Sequence, residues 1–469
     1  MRDLLLRTFI FTMSAFLFCL PLSAQEDGRN TVTYDEFIKR IEKTLPEIKS
    51  NKTNVLLAEN DIKRAKSAGD ITVDAGGDYG NQEQYNITTG SGNVSNSTFY
   101  AALSKKLIPT GTRLNTEFNY AKTSYSDYNS IPDYSTYEPS VSFKISQPLL
   151  YNFLGKVDKY AEKNAEMLFE IEKVRYLENN KSILNAYKKL YFEWILYKEL
   201  LTNLKESIKN SKTLEAQIKR QVKAGLSDND DYQKVVTSTL SYESQYEEYS
   251  TALTKIENEI ELYLNMKFEP DTSAFKNVFS ESYECGFNNV NFSSTNSARL
   301  IDLTMKNLNY TKEVSENQLL PELNVYTQLT RKNVSDEAVS GLDKTDYSIG
   351  FEFTYNIGNN SAESDLREAE IRLQDLNYEY KSTLNKFKKK LSEYYASATG
   401  TKKQLKNANN VLKALESQLK TEEKKYKQAR LNLSYVIETE NSIAAKKIEM
   451  IELRYKLIEN YIDFNDLIK

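Results

Sequence analysis

Two long stretches that are poor in helix-breaking residues constrain this chain more than any other feature. They run from Val157 to Gly225 and from Ala362 to Arg430, and no proline interrupts either one. At about 1.5 Å per residue, each would form a helix on the order of 100 Å long. Ordinary globular helices are far shorter, so each stretch needs an equally long partner.

Apolar residues recur with alternating gaps of four and three in the first stretch and with gaps of four, three or seven in the second, which predicts heptad seams. The first seam contains Ile183, Tyr187, Leu190, Trp194, Tyr197, Leu201, Leu204 and Ile208. The second contains Phe387, Leu391, Tyr394, Ala398, Leu405, Leu412, Leu415 and Leu419. A coiled-coil filament would also show this pattern. Trp194 lies in the seam and is therefore predicted to be a core residue; the alternative is a residue that binds cargo.

A different, two-residue period marks six short segments that alternate apolar and polar side chains. They lie at 71–79, 99–103, 114–120, 141–145, 323–325 and 347–355. The pattern is typical of transmembrane β-strands, and half-buried strands of a soluble sheet would also produce it. Tyrosines near the strand ends and an export signal favour the membrane interpretation.

The order of these elements repeats, which predicts duplication and a pseudo-symmetric array. The first repeat, 25–265, holds a helix over Tyr34–Ala68, four strands at about 70–147, the first long helix and a helix over Asp228–Leu264. A polar connector spans 266–294. The second repeat, 295–469, holds a helix over Thr295–Asn317, two strands at about 322–356, the second long helix and a helix over Ser434–Ile468. The long helices are offset by 205 positions. The predicted fold class is α+β, with long helical hairpins and membrane strands.

The N-terminus reads as a secretory signal peptide over residues 1–24. Arg2 and Arg7 precede an apolar run that is too short to span a bilayer, and Leu22-Ser23-Ala24 resembles a cleavage site. Cys19 could instead accept a lipid, although the large Phe18 before it argues against that. Cys285 would then be the single thiol of the exported chain and is predicted to be a surface residue.

Composition excludes several classes of function. The chain has no histidine, so it cannot hold a Ser-His-Asp triad or a histidine-ligated zinc ion. Two cysteines cannot build a disulfide framework. A pI near 5.5 argues against nucleic-acid binding, and a mean hydropathy of -0.60 argues against a helical membrane protein. Because no metal-ligand cluster, phosphate loop or catalytic carboxylate pair stands out, we expect no enzyme, cofactor or metal site.

Three short motifs resemble the TolC-type outer-membrane efflux family. Leu319–Val325 is similar to that family's helix-to-strand junction, and Gln147–Leu150 leading into Gly155 is similar to its strand-to-helix exit. Asn356-Ile357-Gly358 is a degraded copy of that exit. Ala224–Ser227, followed by Asp231, resembles the family's hairpin tip, with an acidic residue six positions beyond the glycine.

The second tip, Ala429–Asn432, departs from the pattern. It places Arg430 where glycine is usual and Val436 at the acidic position. The resemblance nevertheless covers nearly all of the exported chain.

The resemblance implies a homotrimer whose strands form one barrel in the outer membrane and whose helices form a tunnel across the periplasm. The implied function is the passive exit duct of a tripartite efflux pump or type I secretion system. Its implied partners are a periplasmic adaptor, an inner-membrane pump and outer-membrane lipid, and not nucleic acid. The alternative is a periplasmic structural or adaptor protein, which should carry one hairpin flanked by small β-domains.

The resemblance also implies two sets of site residues. The tips that dock an adaptor would be Gly225, Leu226, Ser227, Arg430, Leu431 and Asn432. The carboxylates at the periplasmic mouth would be Asp228, Asp230, Asp231, Glu438 and Glu440. The same residues are open to simpler explanations, because Gly225 fits a helix C-cap and acids suit a helix start.

The strand count is expected to exceed the family's usual four per subunit. Six strands per chain would give eighteen in a trimer. Long loops are predicted at 81–96, 121–138 and 331–346, with one tight turn at Ile108–Thr112. Outer-membrane barrels place short turns at the periplasm, so this turn should lie on the side of the helices. The alternative is that Phe99–Tyr120 forms a hairpin outside the membrane.

Overall fold

The computed structural model describes residues 31–86, 90–128, 132–265, 267–273, 275, 290–336 and 342–468. The predicted signal peptide with Cys19, and Cys285 in the connector, lie outside the described residues. Within these ranges the chain forms seven α-helices, two short strands and a six-stranded sheet. No described helix combines the length and apolar character needed to cross a bilayer.

The first predicted helix is two helices, α1 (Tyr34–Thr44) and α2 (Pro46–Lys66). Leu45 between them has an extended backbone, with φ -60° and ψ 125°. A residue that precedes proline avoids the helical region, whereas proline itself fits the first helical position. The prediction of one continuous helix over Tyr34–Ala68 was therefore wrong, because it overlooked Pro46.

The remaining helices include both predicted long ones. They are α3 (Tyr160–Lys223), α4 (Asn229–Leu264), α5 (Asn296–Gln318), α6 (Asn360–Lys427) and α7 (Leu433–Ile468). The helices α3 and α6 contain 64 and 68 residues, so each is roughly 100 Å long. In the half nearer the sheet, the helices lie in the order α2–α3–α5–α6. In the other half the order is α4–α3–α7–α6.

The largest core lies at the middle of the helical part. Trp194, Tyr191, Phe37 and Ile41 are almost fully buried there, which confirms Trp194 as a core residue. The indole Nε1 of Trp194 donates a hydrogen bond to Glu257 at 3.2 Å. Beside this core, β1 (Thr31–Val32) pairs in parallel with β6 (Glu269–Pro270) and ties the connector to the helices.

The large sheet contains six antiparallel strands, the number predicted. In chain order they are β2 (Ile71–Asn86), β3 (Gly90–Leu107), β4 (Thr112–Ser126), β5 (Tyr134–Pro148), β7 (Glu322–Asp336) and β8 (Leu342–Thr354). Their order in the sheet is the same, so β5 pairs with β7 where the two repeats meet. The edge strands β2 and β8 each have one neighbour within the chain.

The long loops predicted at 81–96, 121–138 and 331–346 were wrong in extent. Strand pairing continues to Asn86 with Gly90, to Tyr125 with Tyr134 and to Val334 with Leu342. Backbone hydrogen bonds thus extend each hairpin well beyond the alternating segments. Side-chain patterning does not reveal this extension where both faces of a strand are polar.

The tight turn between β3 and β4 lies on the helical side of the sheet. A Cβ on Gly69, just after α2, would stand 3.2 Å from the Ile108 side chain. A Cβ on Gly155, just before α3, would stand 2.0 Å from the Ile108 carbonyl oxygen. The turn therefore packs against both chain segments that join helix to sheet. The alternative of an outer hairpin over Phe99–Tyr120 was wrong.

Candidate functional site

The end of α3 farthest from the sheet closes in a left-handed turn at Gly225, whose φ is +68°. The Leu226 amide donates to the Gln221 carbonyl at 2.8 Å, and the Gly225 amide donates to that of Val222 at 3.0 Å. These two bonds satisfy carbonyls at the helix end in the manner of a Schellman cap. The cap leaves the Leu226 side chain 78% exposed.

The second tip repeats this cap one residue earlier than the sequence suggested. Ala429 has φ +55°, and the Arg430 amide donates to the Lys425 carbonyl at 2.9 Å. Ala429 is therefore the counterpart of Gly225, and Arg430 is the counterpart of Leu226. The placement of Arg430 at the glycine position was wrong, and the offset between the tips is one position smaller than predicted.

The same shift changes the residue at the acidic position of the second tip. Counting from Ala429, the counterpart of Asp231 is Tyr435, which is 56% exposed, and not Val436, which is buried. Tyr435 was missed because the hydrogen bonds that end α6 cannot be read from composition. The first tip thus presents leucine and aspartate where the second presents arginine and tyrosine.

The remaining tip residues hold the connecting turns. The Ser227 hydroxyl donates to Asp231 at 3.1 Å, and the Asn432 side chain accepts from the Ser434 amide at 2.8 Å. Leu431 is half-buried. The Tyr426 hydroxyl, near the end of α6, donates to Gln221 of α3 at 2.9 Å. The structure therefore brings the two tips together at one end of the molecule.

The predicted mouth carboxylates separate into two environments. Asp230 and Glu438 line one groove between α4 and α7, where Asp230 also forms an ion pair with Lys234 at 2.6 Å. Asp228 is exposed at the start of α4. Glu440 lies apart from this groove. Burial raises the pKa of the Glu440 carboxyl above its ordinary value, and Glu423 adds to the shift.

Three more carboxylates that sequence reasoning missed, Glu248, Glu449 and Glu452, line the same groove. Burial raises the pKa of the Glu452 carboxyl, and the neighbouring Glu449 raises it further. In the sequence, the only signal for these carboxylates is the face of its own helix on which each one lies. That signal becomes informative only once α4 and α7 are known to be neighbours. The groove can attract cations along its length.

The sheet has one apolar and one polar face. Leu103, Phe143 and Leu329 lie in one row across the strands, and each is about half exposed. The neighbouring row on the opposite face holds Asn115, Lys144, Gln328 and Ser348. An exposed apolar belt on one face and polar residues on the other is the arrangement of a membrane barrel wall with a wet interior.

Comparison with known proteins supports the predicted family and fold. Residues 304–467 match the family model described as outer membrane efflux protein. The match spans about a third of the chain and lies within the predicted second repeat. Solved channels share its fold over almost the whole length, although no curated protein matches its sequence.

Three solved structures illustrate the shared fold. CusC is 14% identical, with a TM-score of 0.63 over 92% of this chain and 91% of its own. VceC from Vibrio cholerae is 12% identical, with a TM-score of 0.63 over 92% and 95%. The MtrE channel of Neisseria gonorrhoeae, in its open state, is 12% identical, with a TM-score of 0.64 over 93% and 88%.

These solved channels confirm the predicted TolC-like fold, and the match over residues 304–467 agrees with the predicted family.

Proposed function

We infer that this chain is the passive exit duct of a tripartite efflux or secretion machine, built from three copies. The observation that carries the proposal is the pair of unpaired edge strands. Strands β2 and β8 run in opposite directions, so β8 of one copy can pair antiparallel with β2 of the next. Unpaired backbone groups are not tolerated in hydrocarbon, and closure removes them.

Closure of three copies gives an eighteen-stranded barrel whose apolar face contacts outer-membrane lipid. The helices, which continue directly from the strands, then form the periplasmic tunnel of the exported protein. The alternative, a periplasmic adaptor, would carry one helical hairpin. Two hairpins and a wide sheet with an exposed apolar face favour the duct.

The assembly is tested on the exported protein purified in detergent. Light scattering should give three chains per particle, and the protein should form ion-conducting pores in a planar lipid bilayer. A monodisperse monomer that stays soluble without detergent would refute the proposal.

The tips are proposed to dock the hairpin of a periplasmic adaptor. Leu226 is an exposed apolar side chain held on a rigid cap, which suits it to insertion between partner side chains. Leu226→Ser removes the exposed apolar side chain, and Gly225→Asp adds a charge that would be desolvated on docking. Both variants should abolish transport while the trimer and its membrane insertion persist.

The second tip supplies matched controls for this experiment. Gly225→Ala should retain transport, since Ala429 occupies the equivalent left-handed position. Arg430→Ser tests whether the second tip contributes to docking at all. Normal transport by Leu226→Ser or Gly225→Asp would show that the adaptor docks elsewhere.

A further inference from the structure

A polar pocket of about 420 Å³ lies between α3, α5 and α6, close to the sheet. One face of α5 forms its floor, and single faces of α3 and α6 form its walls. The side chains that carry the argument below are Tyr160, Asn307, Ser315, Gln318, Asp365 and Arg372. This volume lies at the small end of the range for pockets that hold small molecules.

Two polar groups in the floor of the pocket lack a hydrogen-bond partner. Ser315 is only 4% exposed, and within the described residues its hydroxyl forms no hydrogen bond. The Asn307 side-chain oxygen is also buried without a partner. Native proteins rarely keep a buried acceptor unsatisfied, because it has lost its water without gaining a donor. The floor is therefore built to receive hydrogen bonds from something that enters the pocket.

The Tyr160 hydroxyl adds a third acceptor at the wall. The Thr311 hydroxyl donates its one proton to the Asn307 carbonyl at 3.0 Å. In the 3.2 Å bond between the Tyr160 and Thr311 hydroxyls, Tyr160 must then be the donor. The Tyr160 oxygen keeps free lone pairs, but its proton is already committed.

The pocket also carries an uncompensated negative charge. Asp365 is exposed at the wall and, within the described ranges, forms no ion pair. Among the described residues that line the pocket, Arg372 is the only cation, and it forms an ion pair with Glu368 at 2.5 Å. The Asp365 carboxylate is thus available to a ligand.

Acceptors together with one free negative charge select a particular kind of ligand. A primary ammonium group has three N–H donors and one positive charge, and its hydrogen bonds to a carboxylate are strengthened by the charges. A quaternary ammonium has the charge but no donor. Within the described residues no cluster of acidic or thiol side chains could hold a metal ion. The lining therefore suits a protonated amine.

The pocket opens toward the polar face of the sheet. Gln318, which lines the pocket, lies four positions before β7 and forms a side-chain hydrogen bond with Tyr151. Tyr151 also lies close to the charged groups of Glu322 and Arg113. Each of these two residues lies an even number of positions along its strand from the polar row described above, and so belongs to the polar face. In the proposed trimer that face lines the duct.

We propose that this pocket binds the ammonium group of small organic amines on the wall of the duct. Asp365 supplies the charge, and Ser315 and Asn307 accept hydrogen bonds in the floor. The proposal rests on the proposed function for its position inside a duct, and it names amines as a class of cargo that the wall recognises. Binding itself requires only the folded protein.

The site is tested on the exported protein purified in detergent, with n-butylammonium as the probe in a ligand-observed NMR titration at pH 7. For a ligand this small we expect saturable binding with a Kd on the order of 1–10 mM. Two matched probes separate the contributions. 1-Butanol lacks the charge, and trimethylbutylammonium keeps the charge but has no N–H group. Each should bind at least ten-fold more weakly.

Substitutions then locate the site. Asp365→Asn should weaken binding at least ten-fold, and Ser315→Ala at least three-fold, because they remove the charge and a buried acceptor respectively. Asp375→Asn is the matched control, since Asp375 is an exposed acid of α6 that does not line the pocket. It removes the same formal charge and should leave the Kd within two-fold of the unaltered protein. Light scattering on each variant checks that the particle is unchanged, and the comparison of probes needs no variant at all.

Pore formation in a planar bilayer is measured on the same samples, so that the two proposals fail separately. Pore-forming trimers without saturable binding, or with equal binding in Asp365→Asn, would overturn the amine site and leave the duct function standing. Equal affinity for trimethylbutylammonium would overturn recognition through N–H donors. Protein that binds n-butylammonium as expected but forms no pores would overturn the duct, and with it the role of amines as cargo, while the site itself would stand.

Discussion

Gly155 is predicted to be the residue least able to accept a side chain where the sheet joins the helices. It has φ +66°, and an added Cβ would stand 2.0 Å from the Ile108 carbonyl oxygen and 3.1 Å from the Gly111 amide. A carbon–oxygen contact normally needs about 3.3 Å, so the turn must move by roughly 1.3 Å. That turn is fixed by the Gly111 amide, which donates to the Leu107 carbonyl at 2.8 Å.

The expected cost of Gly155→Ala combines two effects. The left-handed backbone costs an alanine about 1–2 kcal/mol, and forcing extra volume into a packed site costs about 1–3 kcal/mol more. The variant should therefore lose about 2–5 kcal/mol. The measured quantity is the urea midpoint of the detergent-solubilised protein. Unfolding is monitored by the change in electrophoretic mobility that accompanies loss of the folded sheet.

Two glycines serve as controls that separate the effects. Gly358 has φ +85° with no atom near its would-be Cβ, so Gly358→Ala measures the backbone cost alone, about 1 kcal/mol after the gain in the unfolded state. Gly80 has neither constraint, and Gly80→Ala should change stability by less than about 0.5 kcal/mol. If Gly155→Ala loses no more than Gly358→Ala, the turn does not pack against the start of α3.

Three further predictions concern the helical part. Trp194→Ala should cost about 3–5 kcal/mol per protomer in the urea midpoint, because it empties a fully buried site, and a loss under 1 kcal/mol would contradict that packing. Glu440→Gln should raise the thermal midpoint at pH 7, because a carboxyl whose pKa is raised in the folded protein destabilises the fold when it is ionised. The variant should lose this advantage below pH 4.5, and a constant difference across that range would refute the assignment. Asp231→Ala should change cation selectivity in a planar bilayer, and unchanged selectivity with Glu438 and Glu440 also neutralised would place the constriction elsewhere.

The sequence predicted those features of the fold that patterning alone determines. The heptad seam around Trp194 specifies a buried helix face, and the alternation around Phe143 and Leu329 specifies which face of the sheet is apolar. Sequence patterning did not predict the features that backbone hydrogen bonds determine. The cap at Ala429 is set by the end of α6, and the strand extension to Asn86 is set by pairing with Gly90.

The candidate site was predictable only in part for the same reason. The first tip carries glycine, whose freedom at positive φ makes the turn readable. The second tip uses alanine in that conformation, so Arg430 was aligned with the wrong residue. The groove that holds Glu248 and Glu452 depends on two helices that are distant in sequence, and one chain read alone does not reveal that they are neighbours.

The extra hairpin, β3 and β4, has a geometric consequence for the proposed trimer. Strands about 4.8 Å apart and tilted about 40° give eighteen strands a girth of roughly 110 Å, whereas twelve would give about 75 Å. Each half of the helical part supplies four helices per copy. Twelve helices about 9–10 Å apart form a ring of about 110–120 Å.

Barrel and helical ring therefore have nearly equal girth, so the duct should keep its width where strand becomes helix. The expected equal width depends on β3 and β4, which lie wholly inside the first repeat and return to the helical side at Ile108. An image reconstruction of the trimer in lipid nanodiscs would measure both girths. A barrel closer to 75 Å than to 110 Å would show that β3 and β4 are excluded from the wall.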